Sequence, residues 1–154
     1  MEVTIKDITA YLDHVGLQFM ATIGIDGKPK VRPMQYMVLE DDKLWFCTNS
    51  KKEVYAELMA NPSLELCGSK LEKEEIKSTW IRFSAEAVFE DSRHIRERIV
   101  EKSEIVRRLY AHDLDNPIFK TFYLKNIKGV MTNLGHVKGL GDNPEFSKPV
   151  VFEL

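Results

Sequence analysis

The stretch 31–55, VRPMQYMVLEDDKLWFCTNSKKEVY, constrains the chain most. It reads as strand, turn, strand and helix start, and two of its features break ordinary local rules. Arg32-Pro33 falls inside the strand-like run 31–39. A proline removes a ladder donor and is confined to edge strands or bulges. Pairing that stops near Pro33 leaves the backbone of Met34 and Gln35 free to face something else. The plainer alternative is an edge strand with one surface arginine. The second feature is the helix start. Ser50 precedes Glu53 at capping-box spacing, yet the first turn carries Lys51 and Lys52. A helix N-terminus already bears partial positive charge, so each lysine there costs a few tenths of a kcal/mol. An anion would compensate, because backbone N–H groups at a helix N-terminus form a ready phosphate site. Thr48, Asn49 and Ser50 add hydroxyl and amide donors. The alternative is two solvated lysines on a surface helix.

One hairpin joins the two features. With its turn at residues 40–42, antiparallel pairing sets the start of one strand against the end of the next. Arg32 is then expected opposite residues 48–50. Arg32, Thr48, Ser50, Lys51 and Lys52 converge in this reading. A guanidinium, two ammoniums, hydroxyls and a helix N-terminus suit a phosphate dianion.

The remaining chain supplies a frame. Residues 4–15 form an amphipathic helix with a capping-box start at Thr4 and Asp7. Strands are expected over 17–25, 28–39 and 43–48, with Asp26-Gly27 as a two-residue hairpin signal. Such a series is an antiparallel meander and not a βαβ unit. A helix over 51–60 ends at Asn61-Pro62, and a strand over 63–69 follows. The charge run 70–78 is expected to be a solvated hairpin loop. In the strand 79–90, Ile81, Phe83, Ala85, Ala87 and Phe89 share an apolar face. Trp80, Arg82, Ser84, Glu86 and Val88 share the other. Helices run from residues 91–92 to 102 and from 103 to 112. Segments 118–124 and 126–132 precede a loop over 133–148 and a last strand over 149–154. The expected fold is mainly β with flanking helices (α+β), a six-stranded antiparallel split or closed barrel, as one domain over 1–154.

Composition excludes several classes. A chain of 154 residues with 44% hydrophobic and 30% charged residues is ordinary for a soluble domain. A formal net charge of −2 gives no general attraction to nucleic acid or to anionic membrane. No run approaches the ~18 apolar residues of a membrane span, and the start lacks a signal-peptide core; a cytoplasmic location is expected. Cys47 and Cys67 lie in apolar strand patterns and are expected to be buried free thiols. His14, His94, His112 and His136 are scattered without metal-ligand spacing, so no metal site is expected. His136 lies in the Gly-rich loop and is the histidine to consider beside a substrate. The run GHVKGLG has the wrong spacing for a dinucleotide fingerprint.

Several segments carry a resemblance. FMATIGIDGKPKVRPM, WFCTNSKKEVY, the Asn61-Pro62 break and WIRFSAEAVFED resemble, in order and spacing, the pyridoxamine 5′-phosphate oxidase-like flavoproteins. Those proteins have the FMN-binding split-barrel fold. The resemblance implies that Arg32, Ser50, Lys51 and Lys52 hold the FMN phosphate. It implies that Pro33, Met34 and Gln35, with Cys47 and Thr48, line the isoalloxazine ring, partly through backbone groups. It implies a homodimer with two flavins at the interface, which Trp80 and Arg82 approach from the partner's side. The vitamin B6 oxidase itself is a poor match, since the Arg-containing, Trp-rich C-terminal segment of that enzyme has no counterpart in EFSKPVVFEL. The expected function is an FMN-dependent oxidoreductase of a small molecule. Quinones or nitro compounds come only by analogy, and no catalytic side chain is assigned. The alternative is a non-catalytic flavin- or haem-binding protein of this fold.

Overall fold

A computed structural model describes residues 2–73, 77–132, 134–140 and 148–154. The first helix, α1 (Ile5–Val15), starts at a complete capping box. The Thr4 side chain accepts from the Asp7 N–H, and the Asp7 carboxylate accepts from the Thr4 N–H. Ile8, Tyr11, Leu12 and Val15 form its buried face.

The next strands are β1 (Gln18–Ile23) and β2 (Pro29–Pro33). Their connection is longer than the two-residue loop expected. The Gly27 N–H reaches the Gly24 carbonyl, the Gly24 N–H reaches the Lys28 carbonyl, and Gly27 takes φ +78°. This is a type I turn closed by a left-handed glycine. Strands β3 (Val38–Glu40) and β4 (Lys43–Asn49) are joined through Asp41 and Asp42, both at positive φ. Two such residues make the type I′ turn that fits strand twist. The single strand expected over 28–39 is therefore two short ones, interrupted just after Pro33.

Helix α2 (Glu53–Ala60) leads into β5 (Ser63–Glu72) and β6 (Lys77–Phe89). The charge run is largely strand, and its residues 74–76 lie outside the described residues. Helices α3 (Arg93–Lys102) and α4 (Glu104–Tyr110) are capped by Ser92 and Ser103. Strand β7 (Phe119–Thr132) unites the two segments expected over 118–132. The break between them is a β-bulge, with Asn126 at φ +54° where the register against β6 slips between Ser84 and Glu86. Strand β8 (Val150–Glu153) pairs with β7. Half of the loop expected over 133–148, residues 133 and 141–147, lies outside the described residues. Its described part holds a 3₁₀ turn, Leu134–His136, with Val137 and Leu140 buried in the core.

All the pairings are antiparallel. The order is β2-β1-β5-β6-β7-β4-β3, with β8 beside the far half of β7. The sheet holds eight strands where six were expected, because β3 and β8 are short additions at its edges. It curls into a split barrel that is not closed: β2 and β3, consecutive in the chain, stand at opposite ends of the order. Inside lie Met20, Leu44, Phe46, Leu66, Ile81, Phe83 and Phe122, covered by α1 and α2. A second cluster, with Trp45, Ile99, Tyr110 and Phe119, packs α3 and α4 on the outside of β4. No helix among the described residues is long and apolar enough to cross a membrane.

The register of β6 and β7 is testable at Gly129. A Cβ there would overlap the Arg82 carbonyl and the backbone of Phe83. Gly129→Ala is expected to cost about 1–3 kcal/mol by overpacking, lowering the melting temperature by roughly 5 °C. An unchanged melting temperature would contradict the register.

Candidate functional site

The site grows from one question: where the backbone hydrogen bonds go once β2 ends. Gln18 answers it on one side. Its carbonyl accepts from the Met34 N–H at 3.0 Å. Its side-chain Oε1 accepts from the Tyr36 N–H at 2.9 Å, and its Nε2 donates to the carbonyls of Leu12 and Gly16. Met34 and Tyr36 thus both turn their N–H groups towards β1. Backbone groups alternate sides along an extended chain, so Gln35, and Val31 and Pro33 before it, point theirs away from β1. The expectation that Met34 and Gln35 are both free is corrected: Met34 is bonded, and the Gln35 N–H has no partner among the described residues.

Strand β4 has a matching open edge. The Trp45 carbonyl accepts from the Met37 N–H at 2.8 Å, and the Ser50 N–H donates to the Ile118 carbonyl at 2.9 Å, beside β7. By alternation, Cys47 and Asn49 direct their backbone groups away from β7. Strand β3 covers β4 only as far as Trp45. The Cys47 N–H and carbonyl and the Asn49 N–H therefore meet no strand among the described residues. Residues 34–37 link the two open edges and span at most about 14 Å.

The turn between β4 and α2 departs from the expected capping box. Ser50 is not the cap: Lys52 holds the N-cap position, and the Ser50 N–H donates to the Ile118 carbonyl. Asn49 shapes the turn instead: its Oδ1 accepts from the Lys51 N–H at 2.8 Å, and its carbonyl accepts from the Lys52 N–H at 3.0 Å. Lys52 stands at the N-cap with no side-chain cap bond, so α2 begins two residues later than expected. Lys51 and Lys52 are exposed. Thr48 Oγ1, two residues before Ser50, is buried with no hydrogen-bond partner among the described residues.

Arg32 does not sit where the hairpin argument put it. It pairs with Met20 on β1 and not with β4, since β2 and β4 are not neighbours. Its side chain is 20% exposed and runs to α2, where it meets the carboxylate of Glu57, itself only 3% exposed, at 2.6 Å. It also donates to Thr22 Oγ1 at 2.6 Å and to the Met20 carbonyl at 3.3 Å. Glu57 follows Glu53 by one helical turn, about 6 Å along the axis. Sequence reasoning missed Glu57; its signal is a carboxylate on the helix face shared with Val54 and Leu58.

Trp80 and Arg82 lie on the outer face of β6, as the alternation predicts; Arg82 pairs with Glu65 at 3.2 Å. Arg82 shares a row with Cys67, Phe19 and Pro33, three strands from β2 or roughly 14 Å. Within one chain these two residues do not join the β4–α2 turn. Cys67 is exposed on that same face, correcting the expectation of a buried thiol: Leu64, Leu66 and Gly68 take the inward positions of β5. Burial pushes the Cys47 thiol up to about 12, and the nearby Lys52 charge offsets this only in part. Cys47 is thus no thiolate near neutral pH.

His14 pairs with Glu72 at 2.6 Å, and His94 pairs with Glu40 at 3.2 Å. Among the described residues no three His, Cys, Asp or Glu side chains gather as a metal site.

Comparison with known proteins adds to this geometry. Residues 5–121 match the family described as pyridoxamine 5′-phosphate oxidase. No curated protein matches the chain in sequence. A nimC/nimA family protein from Clostridium acetobutylicum is 25% identical with a TM-score of 0.77, covering 97% of this chain and 92% of that one. A protein from Clostridium acetobutylicum related to general stress protein 26 of B. subtilis, of the pyridoxinephosphate oxidase family, has a TM-score of 0.65 at 14% identity, covering 97% and 94%. The haem storage protein HutZ from Vibrio cholerae has a TM-score of 0.60 at 16% identity, covering 80% and 90%.

The Arg32–Glu57 pair fixes α2 over the barrel. Arg32→Met is expected to cost about 3–5 kcal/mol, because it strands a buried carboxylate, and the Arg32→Met/Glu57→Leu double variant much less. Denaturant unfolding reads both. Equal losses in the single and double variants would mean that the two side chains are not coupled.

Proposed function

The chain belongs to the pyridoxamine 5′-phosphate oxidase family, and we propose that it is a flavoprotein holding FMN along the split between β2 and β4. The observation that carries this is the pair of open strand edges ending beside an uncapped, lysine-bearing helix start. A planar heterocycle with imide donors and acceptors suits the backbone groups of Gln35 and Cys47. A phosphate suits Lys51, Lys52, the Ser50 hydroxyl and the first-turn N–H groups of α2. Thr48 Oγ1, at the end of β4, is buried without a partner among the described residues. Pro33, Met34 and Asn49 complete the lining, and Arg32 reaches α2 one turn further on.

FMN supplies hydride and electron transfer when bound. The chain's own part is to hold the ring and to place positive charge and N–H donors where negative charge develops. We infer an oxidoreductase of a small molecule, in which the buried Cys47 thiol, held protonated, is not the nucleophile.

The assembly we propose is a homodimer. The outer face of the sheet exposes Phe19 and Ile23 of β1, Val31 of β2 and Val151 of β8, with Val31 at 68% and Val151 at 81% exposure, and the Arg82–Glu65 pair lies between them. Exposed apolar side chains around an ion pair suit an interaction surface. Trp80 and Arg82 stand on it, so a second copy would bring them to the partner's flavin. Haem is the second reading, favoured by the haem storage protein among the similar structures.

The test compares FMN with riboflavin, which lacks the phosphate. Arg32 is unsuitable for substitution because its loss also disturbs α2, whereas Lys51 and Lys52 are exposed. In Lys51→Ala/Lys52→Ala, FMN affinity is expected to fall about 10- to 100-fold, the worth of charge-assisted hydrogen bonds. Riboflavin affinity and thermal stability should hold. FMN binding that is unaffected by the double substitution would remove the phosphate site.

A further inference from the structure

We propose that Gln18 is the positioning residue for the flavin ring: its side-chain amide holds the Tyr36 N–H and thereby sets which backbone groups of residues 33–35 face the split. The inference rests on the flavin reading above.

Gln18 has no surface exposure, an unusual setting for a glutamine. Its amide is used at both ends. The Nε2 donates to the Leu12 carbonyl at 3.2 Å and to the Gly16 carbonyl, at the C-terminal end of α1. The Oε1 accepts from the Tyr36 N–H at 2.9 Å. One side chain therefore ties the end of α1 to the crossover. The Gln18 main chain adds the bond from the Met34 N–H. With residues 34 and 36 both drawn to β1, the peptide groups of Gln35 between them are left to the split. Tyr36 is also held at its far end. Its hydroxyl donates to the Asp13 carboxylate, and Lys102 lies 3.5 Å from the same oxygen. Burial and the Asp13 hydrogen bond hold that phenol well above its usual range. Gly68 on β5 leaves room for Val15 at the end of α1, which a Cβ there would meet at 2.7 Å. Only a side chain with both an acceptor and a donor can make this set of bonds. Gln18 does not touch the ring; it acts through Met34 and Tyr36.

The test uses Gln18→Met and Gln18→Glu in the full chain. Affinities for FMN and riboflavin, the absorption of the bound flavin and the melting temperature are measured for each. Methionine removes the acceptor for Tyr36. Both affinities should then fall together, about tenfold, and the bound spectrum should move towards that of free flavin. Glutamate keeps the acceptor but loses the donors to Leu12 and Gly16. It should melt lower yet keep the wild-type spectrum, with affinities within about threefold. Unchanged affinity and spectrum in Gln18→Met would overturn the proposal. So would affinities that fall in both variants in step with melting temperature, which marks a structural role alone. Should Gln18→Met fail to fold, amide exchange in the wild type decides. Met34 and Tyr36 should be protected without flavin, and Gln35 only after FMN is added; equal exchange of the three amides would contradict the clamp. A wild type that binds neither flavin removes the flavin reading itself, whereas a wild type that binds both beside an unaffected Gln18→Met removes only the role of Gln18.

Discussion

A chain that leaves a sheet must still place its N–H and C=O groups. After Pro33 the backbone crosses from β2 to β3, and Gln18 takes the Met34 and Tyr36 N–H groups with its own carbonyl and its buried amide. The Met37 N–H goes to the Trp45 carbonyl, and the Gln35 N–H is left without a partner among the described residues. Strand β4 repeats the situation on the opposite edge, because β3 is too short to cover Cys47 and Asn49. The split is thus a direct result of two short pairings, and its lining is backbone more than side chain. A ligand with its own donors and acceptors in one plane is the natural complement.

The helix over the barrel belongs to the same construction. Helix α2 is eight residues long and too short to hold itself in water. Val54 and Leu58 anchor it to the apolar core, and Glu57 meets Arg32 and Thr22 from β2 and β1. A buried carboxylate with a guanidinium and a hydroxyl in fixed directions sets the helix orientation as well as its depth. That orientation leaves the helix start open, with Lys51 and Lys52 beside it. In the proposed reading stability and ligand binding are therefore separable: Arg32 and Glu57 hold the helix, and the exposed lysines are left for a ligand.

Much of this was legible in local sequence. The capping box of α1, the helix starts near residues 92 and 103 and the interruption at Pro33 all follow from short-range rules, and the structure repeats them; the meander does not hold, because β2 and β3 stand at opposite ends of the sheet. Two of the errors, at Ser50 and Arg32, share one cause, which is partners distant in the chain. Ser50 has the right spacing for a cap, but Ile118 takes its N–H and Asn49 shapes the turn, so the local signal lost to a strand 68 residues away. Arg32 was placed by assuming that consecutive strands pair, whereas β2 turns back to β1 and its arginine meets Glu57 across 25 residues. Strand alternation alone would have exposed Cys67, opposite Leu66 and Gly68, and would have put Gln18 inside with Met20. The bulge at Asn126 read as a strand boundary because asparagine and lysine interrupt the apolar pattern there.

The absorption spectrum of the purified protein, taken before and after addition of FMN and removal of the excess, tests the central claim most directly. The account predicts flavin bands that stay with the protein in amounts approaching one per chain. A Soret band in their place would assign the split to haem. A spectrum with neither, together with no retention of added FMN, would contradict the account and leave the lysine-bearing helix start as surface charge.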